Sequence, residues 1–142
     1  MNDWHILLVE DNPDDEALTI RAFKKNDIHH KIAVVRDGAE AVDHLLAIDR
    51  GDAPAPVLIL LDLKLPKVDG IEVLRQTKAD PRTRMIPIVI LTSSTQDKDI
   101  VESYQLGVNS YMQKPVDFQQ FTESVHQLGL YWLVYNQPPR KA

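Results

Sequence analysis

Short apolar runs recur along the chain and alternate with longer amphipathic segments. Most of the runs are continuously apolar rather than alternating with polar residues, which is typical of strands that are covered on both faces. Several are rich in β-branched residues, which favour strands. The five predicted strands are residues 6–9, 32–35, 57–61, 86–91 and 110–112.

The segments between the runs have the spacing of helices. Leu18 and Ala22 are four residues apart and share a helix face, and the same spacing recurs in the later segments. Asn12 followed by Pro13 predicts an N-cap and a first helical position. Strict alternation of strand and helix predicts an α/β fold, with a parallel sheet and helices on both faces.

Polar residues stand at the ends of the predicted strands. In an open parallel sheet the ligand site lies beyond the carboxyl ends of the strands, so these side chains are expected to converge on one pocket. They comprise three carboxylates, a hydroxyl and an ammonium, namely Glu10, Asp11, Asp62, Thr92 and Lys114.

Composition limits the chemistry of this pocket. The chain of 142 residues contains no Cys, which excludes thiol chemistry and Cys-ligated metals, and its 5 glycines are too dispersed for a Walker or dinucleotide-binding loop. With 16 Lys and Arg against 21 Asp and Glu, the net charge is -5, which disfavours nucleic acid and anionic membranes as partners. The longest apolar run is far shorter than a membrane span, so we expect a soluble cytoplasmic protein.

The carboxylates themselves indicate a metal ion. Asp62 closes the most apolar run, where an uncompensated charge would be costly. Carboxylates that lie close together repel one another unless a cation lies between them. Hard oxygen ligands without nearby Cys or His favour magnesium, which takes one or two carboxylates, retains water and binds phosphate.

Five motifs, in order, resemble the receiver domain of two-component response regulators. They are LVEDN at 8–12, LLDL at 60–63, Pro66 with Asp69-Gly70, LTS at 91–93 and Lys114-Pro115. The resemblance spans about residues 6–133. It implies a flavodoxin-like (CheY-like) three-layer sandwich, with a five-stranded parallel sheet of order 2-1-3-4-5 and five helices.

The resemblance also assigns roles to the residues of the pocket. Asp62 corresponds to the phosphoacceptor, and Thr92 and Lys114 correspond to contacts of the phosphoryl oxygens. Mg²⁺ would be held by Glu10, Asp11, Asp62 and the backbone carbonyl of Lys64. Thr92 and Tyr111 correspond to the family's switch pair, and the Lys114-Pro115 bond is cis in the family. Lys64 and Ser94 stand where receivers modulate the lifetime of the phosphorylated state, and we expect the Lys64 side chain to point to solvent.

Domain organisation and partners follow from the same resemblance. Residues 1–135 would form one receiver domain with an extended last helix, and 136–142 a tail, so we expect a stand-alone regulator that is not an enzyme. Its phosphodonor would be a sensor histidine kinase. The last helix and its aromatic ending further resemble the small response regulators of bacterial and cyanobacterial phytochromes, which implies a homodimer through residues 97–106 and 118–135.

Three other interpretations of the pocket fit the sequence less well. A haloacid dehalogenase-type phosphatase also uses a strand-end Asp with magnesium, but it needs a second Asp where this chain has Lys64. A flavodoxin-like FMN binder would have to place a phosphate among the five carboxylates of residues 10–16. A receiver that signals by binding alone, with Asp62 unphosphorylated, is disfavoured by the complete set of pocket residues.

Overall fold

The computed structural model describes residues 5–26, 31–93, 96–114 and 117–135. Strands and helices alternate along the chain as the hydrophobic pattern predicts. The strands are β1 (His5–Val9), β2 (Lys31–Val35), β3 (Leu58–Leu61), β4 (Ile88–Thr92) and β5 (Ser110–Gln113). The helices are α1 (Pro13–Lys25), α2 (Gly38–Asp49), α3 (Gly70–Ala79), α4 (Asp97–Gln105) and α5 (Phe118–Gly129), followed by a π-helix (Leu130–Tyr135). None of these helices is long and apolar enough to cross a lipid bilayer.

The five strands form one parallel sheet of order β2-β1-β3-β4-β5. This confirms the predicted fold class and strand order. The boundary of β4 differs, because the strand begins at Ile88 rather than at residue 86. Pro87 has no N–H to donate, although its carbonyl still accepts a hydrogen bond from Ile59.

Each face of the sheet is covered by its own apolar layer. Leu7 and Val9 of β1 lie in a layer with residues of α2 and α3, which we call the α2–α3 layer. Ile6 and Leu8 lie in a layer with residues of α1 and α5, the α1–α5 layer. Successive side chains of a strand point to opposite faces, so both sets must be apolar. The continuous apolar runs of the sequence are the consequence.

Side-chain caps mark the start of four of the five α-helices, at the edge of the sheet that carries the site. Asn12 accepts hydrogen bonds from the backbone N–H groups of Asp14 (2.9 Å) and Asp15 (3.1 Å), as its position before Pro13 predicts. Asp37, Asp69 and Asp117 cap α2, α3 and α5 in the same manner. These caps satisfy N–H groups that have no partner within the helix.

The last described residues do not form one continuous α-helix. α5 ends at Gly129, and residues Leu130–Tyr135 continue as a π-helix. The change follows Gly129, a residue that weakens a helix interior. Trp132 packs against the α1–α5 layer, whereas Tyr131 is 53% exposed and meets the Trp132 ring edge-on. The proposed tail at 136–142 lies outside the described residues.

Candidate functional site

The carboxyl edge of the sheet brings the predicted pocket residues together. Glu10 follows β1, Asp62 follows β3, Thr92 ends β4 and Lys114 follows β5. The Lys114 Nζ lies 2.7 Å from Glu10 Oε1 and 2.9 Å from Asp62 Oδ2. Thr92 Oγ1 donates a hydrogen bond of 2.8 Å to Asp62 Oδ1. Residues from four strands therefore meet around one carboxylate, that of Asp62.

The pocket is buried despite its charges. Glu10 is 2% exposed, Asp62 is 6% exposed and Thr92 is fully buried. Charges are kept out of water only when they are paired and hydrogen-bonded. Lys114 supplies that compensation, because its ammonium contacts the carboxylates of both Glu10 and Asp62.

Burial and charge shift the pKa values of this group in opposite ways. Burial raises the pKa of Glu10 to about 7, although the hydrogen bond and charge of Lys114 oppose the shift. Burial would lower the pKa of Lys114, but its hydrogen bonds to Asp15 and Glu10 and the charge of Asp62 outweigh burial, so its pKa is raised. The lysine is therefore a permanent cation within the pocket.

The two oxygens of Asp62 have different surroundings. Oδ1 accepts hydrogen bonds from Thr92 Oγ1 and from the backbone N–H of Lys64 (3.1 Å). Oδ2 accepts from Lys114. The loop after β3 is held in place at Gly70, where any Cβ would overlap the Asp62 carbonyl oxygen. The close start of α3 thus fixes the backbone that carries Asp62.

The acidic residues of the pocket fit a divalent cation. Carboxylate oxygens of Glu10, Asp11 and Asp62 all lie within 4.8 Å of one another. Asp11 is exposed, which leaves a side open for water ligands. Hard oxygen donors that are few in number and open to water suit Mg²⁺. The remaining predicted ligand is the carbonyl of Lys64, the residue whose N–H binds Asp62.

Asp15 belongs to the pocket and was not predicted to. Its Oδ2 lies 2.8 Å from Lys114 Nζ, so the lysine contacts three carboxylates rather than two. One sequence feature pointed to this position. The Asn12 cap places Asp15 third in α1, and because helical side chains lean back toward the N-terminus, its carboxylate lies at the start of the helix.

The predicted switch and lifetime residues lie around the pocket. Tyr111 is half-buried on β5, packs against the α2–α3 layer and pairs in register with Ile90. The other member of the predicted switch pair, Thr92, contacts Asp62 through its hydroxyl. The Lys64 side chain is exposed, as expected. Ser94 and Pro115, with the predicted cis bond, lie outside the described residues.

The fold and site together define the class of protein. Residues 6–126 match the response regulator receiver domain family, and the chain belongs to that family. Receiver domains accept a phosphoryl group from histidine kinases and bind a divalent metal ion.

Individual relatives narrow the class. The probable methanogenesis regulatory protein FilR2 of Methanothrix harundinacea is 44% identical, over 96% of this chain and 88% of that protein. The response regulator Rcp1 of Synechocystis is 40% identical, over 90% of this chain and 88% of its own, and its Mn²⁺-bound crystal structure superposes with a TM-score of 0.87 over 96% and 99% of the two chains. The phosphorylated cyanobacterial phytochrome response regulator RcpA superposes with a TM-score of 0.89 at 40% identity, over 96% of this chain and 98% of that one. Phytochrome response regulators are thus among its relatives.

Proposed function

We propose that this chain is a response regulator that accepts a phosphoryl group on Asp62 with Mg²⁺, from a sensor histidine kinase of the phytochrome class. The observation that carries the proposal is the buried Asp62 carboxylate, which Lys114 and Thr92 contact on its two oxygens. Relatives that are phytochrome response regulators support the choice of donor. The cytoplasm, where histidine kinases meet ATP, is the proposed location, and the net charge of -5 supports protein rather than nucleic-acid partners.

The transfer step follows from the surroundings of Asp62. Oδ2, which accepts from Lys114 alone among the described donors, attacks phosphorus in line. The new Oδ2–P bond forms as the P–N bond of phosphohistidine breaks. The electron pair of the broken P–N bond goes to the imidazole nitrogen of the kinase histidine. Lys114 and Thr92 stabilise charge on the transferred oxygens. Mg²⁺, when bound, would supply further neutralisation of the charge on the phosphoryl group. Because each molecule supplies its own acceptor, the chain is a substrate of transfer rather than an enzyme.

Residues from the segments that follow β1 and β3 would hold Mg²⁺. Glu10 and Asp11 follow β1, and Asp62 with the Lys64 carbonyl follows β3. The mutual proximity of the three carboxylates supports this set. Their repulsion would be relieved by the cation, so binding is coupled to deprotonation of Glu10.

The proposed signal runs from Thr92 to Tyr111. A phosphoryl group on Asp62 would compete for the Thr92 hydroxyl and favour whichever state brings the hydroxyl to it. Tyr111 lies on the neighbouring edge strand and is half-buried, so it can respond to a change in β4. The readout surface would be α4, β5 and α5.

The same surface is the proposed dimer interface. Val101 and Tyr104 of α4 are 54% and 53% exposed, and Tyr131 after α5 is 53% exposed. Aromatic residues are enriched in interface cores. Sedimentation at tens of micromolar is expected to show a dimer, and Tyr104→Glu is expected to weaken it. A monomer with and without acetyl phosphate would contradict the interface.

Intact mass spectrometry tests the central step. Wild-type protein incubated with acetyl phosphate and Mg²⁺ is expected to gain one phosphoryl group, and Asp62→Asn is expected to gain none. EDTA should abolish the gain. A phytochrome-class kinase should phosphorylate the protein faster than an unrelated histidine kinase. If neither donor gives an adduct, only a binding role remains.

A further inference from the structure

Lys114 has three acceptors for its three ammonium protons. Its Nζ lies 2.7 Å from Glu10, 2.8 Å from Asp15 and 2.9 Å from Asp62. An ammonium has three N–H groups and no further donor. A phosphoryl oxygen can therefore bind Lys114 only if one of these carboxylates gives up its contact.

Two of the three acceptors have a second role in the proposed function. Glu10 and Asp62 would turn to the metal, and Asp62 would also become the phosphorylated group. Asp15 has neither role, because it lies on α1 and is not among the three carboxylates that would bind the metal. Its backbone is well held, because Asn12 caps its N–H and its carbonyl accepts a 2.8 Å hydrogen bond from the buried Thr19 hydroxyl.

We propose that Asp15 is a positioning residue for Lys114: it keeps the ammonium at the carboxyl edge of the sheet while Glu10 and Asp62 engage the metal and the phosphoryl group. The inference rests on the proposed function. Its basis is the 2.8 Å contact between Asp15 and Lys114 together with the anchored first turn of α1.

Removal of Asp15 changes how the lysine competes with the metal. Without this partner, the Lys114 charge would be balanced by Glu10 and Asp62 alone, and Mg²⁺ would have to displace it from both. Residues that orient metal ligands from outside the ligand set typically change affinity by 10–100-fold when mutated. Asp15 is 34% exposed at its side chain, so the low end of that range applies.

The test compares Asp15→Asn with Asp14→Asn. Asp14 is the preceding residue, carries the same charge and is exposed, and within the described part of the chain its carboxylate has no hydrogen bond or ion pair. Calorimetric titration with Mg²⁺ is expected to show about tenfold weaker binding for Asp15→Asn. Asp14→Asn should stay within about twofold, because its exposed charge is screened. Phosphorylation by acetyl phosphate should slow for Asp15→Asn alone.

A second comparison tests whether Asp15 acts through the lysine. In a Lys114→Met background, Asp15→Asn should no longer change Mg²⁺ affinity more than Asp14→Asn does. Asp15→Glu should retain most of the wild-type affinity, and circular dichroism should show that each variant is folded. Equal losses for the Asp15 and Asp14 variants, or an unchanged Asp15 effect without Lys114, would overturn the inference. A wild-type protein that binds Mg²⁺ but takes no phosphoryl group would instead defeat the proposed function.

Discussion

The buried carboxyl of Glu10 makes a specific pH dependence expected. Its pKa is raised from 4.5 to about 7, mainly by burial and against the opposing effect of Lys114. The folded protein therefore holds this proton more tightly than the unfolded chain does. Between about pH 4.5 and about pH 7 the unfolded chain loses this proton while the folded protein retains it. The free energy of unfolding therefore falls as pH rises through this range. At about 1.4 kcal/mol per pH unit, the loss is about 3 kcal/mol without metal.

A second group changes stability in the opposite direction over part of this range. The pKa of His44 is lowered by burial and then by the charge of His5. A lowered histidine pKa destabilises the fold when pH falls through its ordinary value, so stability contributed by neutral His44 grows as pH rises. The raw pH profile of the wild type mixes the two effects, and a matched variant is needed to separate them.

Glu10→Gln is that variant, because it keeps the size of the side chain and an acceptor for Lys114 but cannot ionise. Urea unfolding in EDTA should be measured for both proteins from pH 4.5 to pH 8, a range that spans the raised pKa of Glu10. The difference in unfolding free energy should shift by about 3 kcal/mol in favour of Glu10→Gln as pH rises. The His44 effect is common to both proteins and cancels.

Magnesium supplies the control for this prediction. Excess Mg²⁺ should flatten the wild-type profile, because a bound cation favours ionised Glu10. The variant, which lacks that ligand charge, should respond much less. A difference that stays constant across the pH range would refute the assignment of a raised pKa to Glu10.

Further outcomes are expected at two glycines outside the pocket and at two residues that contact Asp62. Gly38→Ala should destabilise the protein by about 3 kcal/mol or more in thermal unfolding, because its Cβ would overlap the Val68 carbonyl oxygen. Gly51→Ala, with φ of 80° but only the Arg82 side chain nearby, should cost about 1–2 kcal/mol, and equal losses would contradict this account. Lys64→Asn should change the decay rate of the phosphorylated protein, measured by loss of the mass adduct; a wild-type rate would show that this exposed cation does not reach the phosphoryl group. Thr92→Val should lower the rate of phosphorylation by at least about tenfold, since it removes the hydroxyl bound to Asp62, whereas Thr92→Ser should retain most of the rate.

Much of the fold follows from local pattern. Both faces of the sheet are covered, so the central strands are apolar almost throughout, and this is visible in a run such as residues 57–61. The Asn12-Pro13 pair predicted the start of α1 because capping depends on neighbouring residues alone. The change at Gly129 from α-helix to π-helix was less accessible, because the apolar residues keep an α-helical spacing as far as Trp132.

The candidate site also has a part that the sequence predicts and a part that it does not. The carboxyl ends of parallel strands share one edge, so the order of strands and helices alone was enough to bring Glu10, Asp62, Thr92 and Lys114 together. Which oxygen of Asp62 each partner contacts was decided by the tertiary structure, because that depends on distances of about an ångström between separate elements.

Two features were decided by contacts between separate elements, although the Asn12 cap had placed Asp15 in the first turn of α1. Asp15 joins the pocket because the first turn of α1 lies beside Lys114, and Gly38 is required because the loop after β3 crosses the start of α2. Sequence by itself determined the types of element, the two apolar faces and the chemical groups at the strand ends. Only packing between distant segments decided which of five neighbouring carboxylates hold the lysine, since that choice rests on contacts that local spacing does not encode.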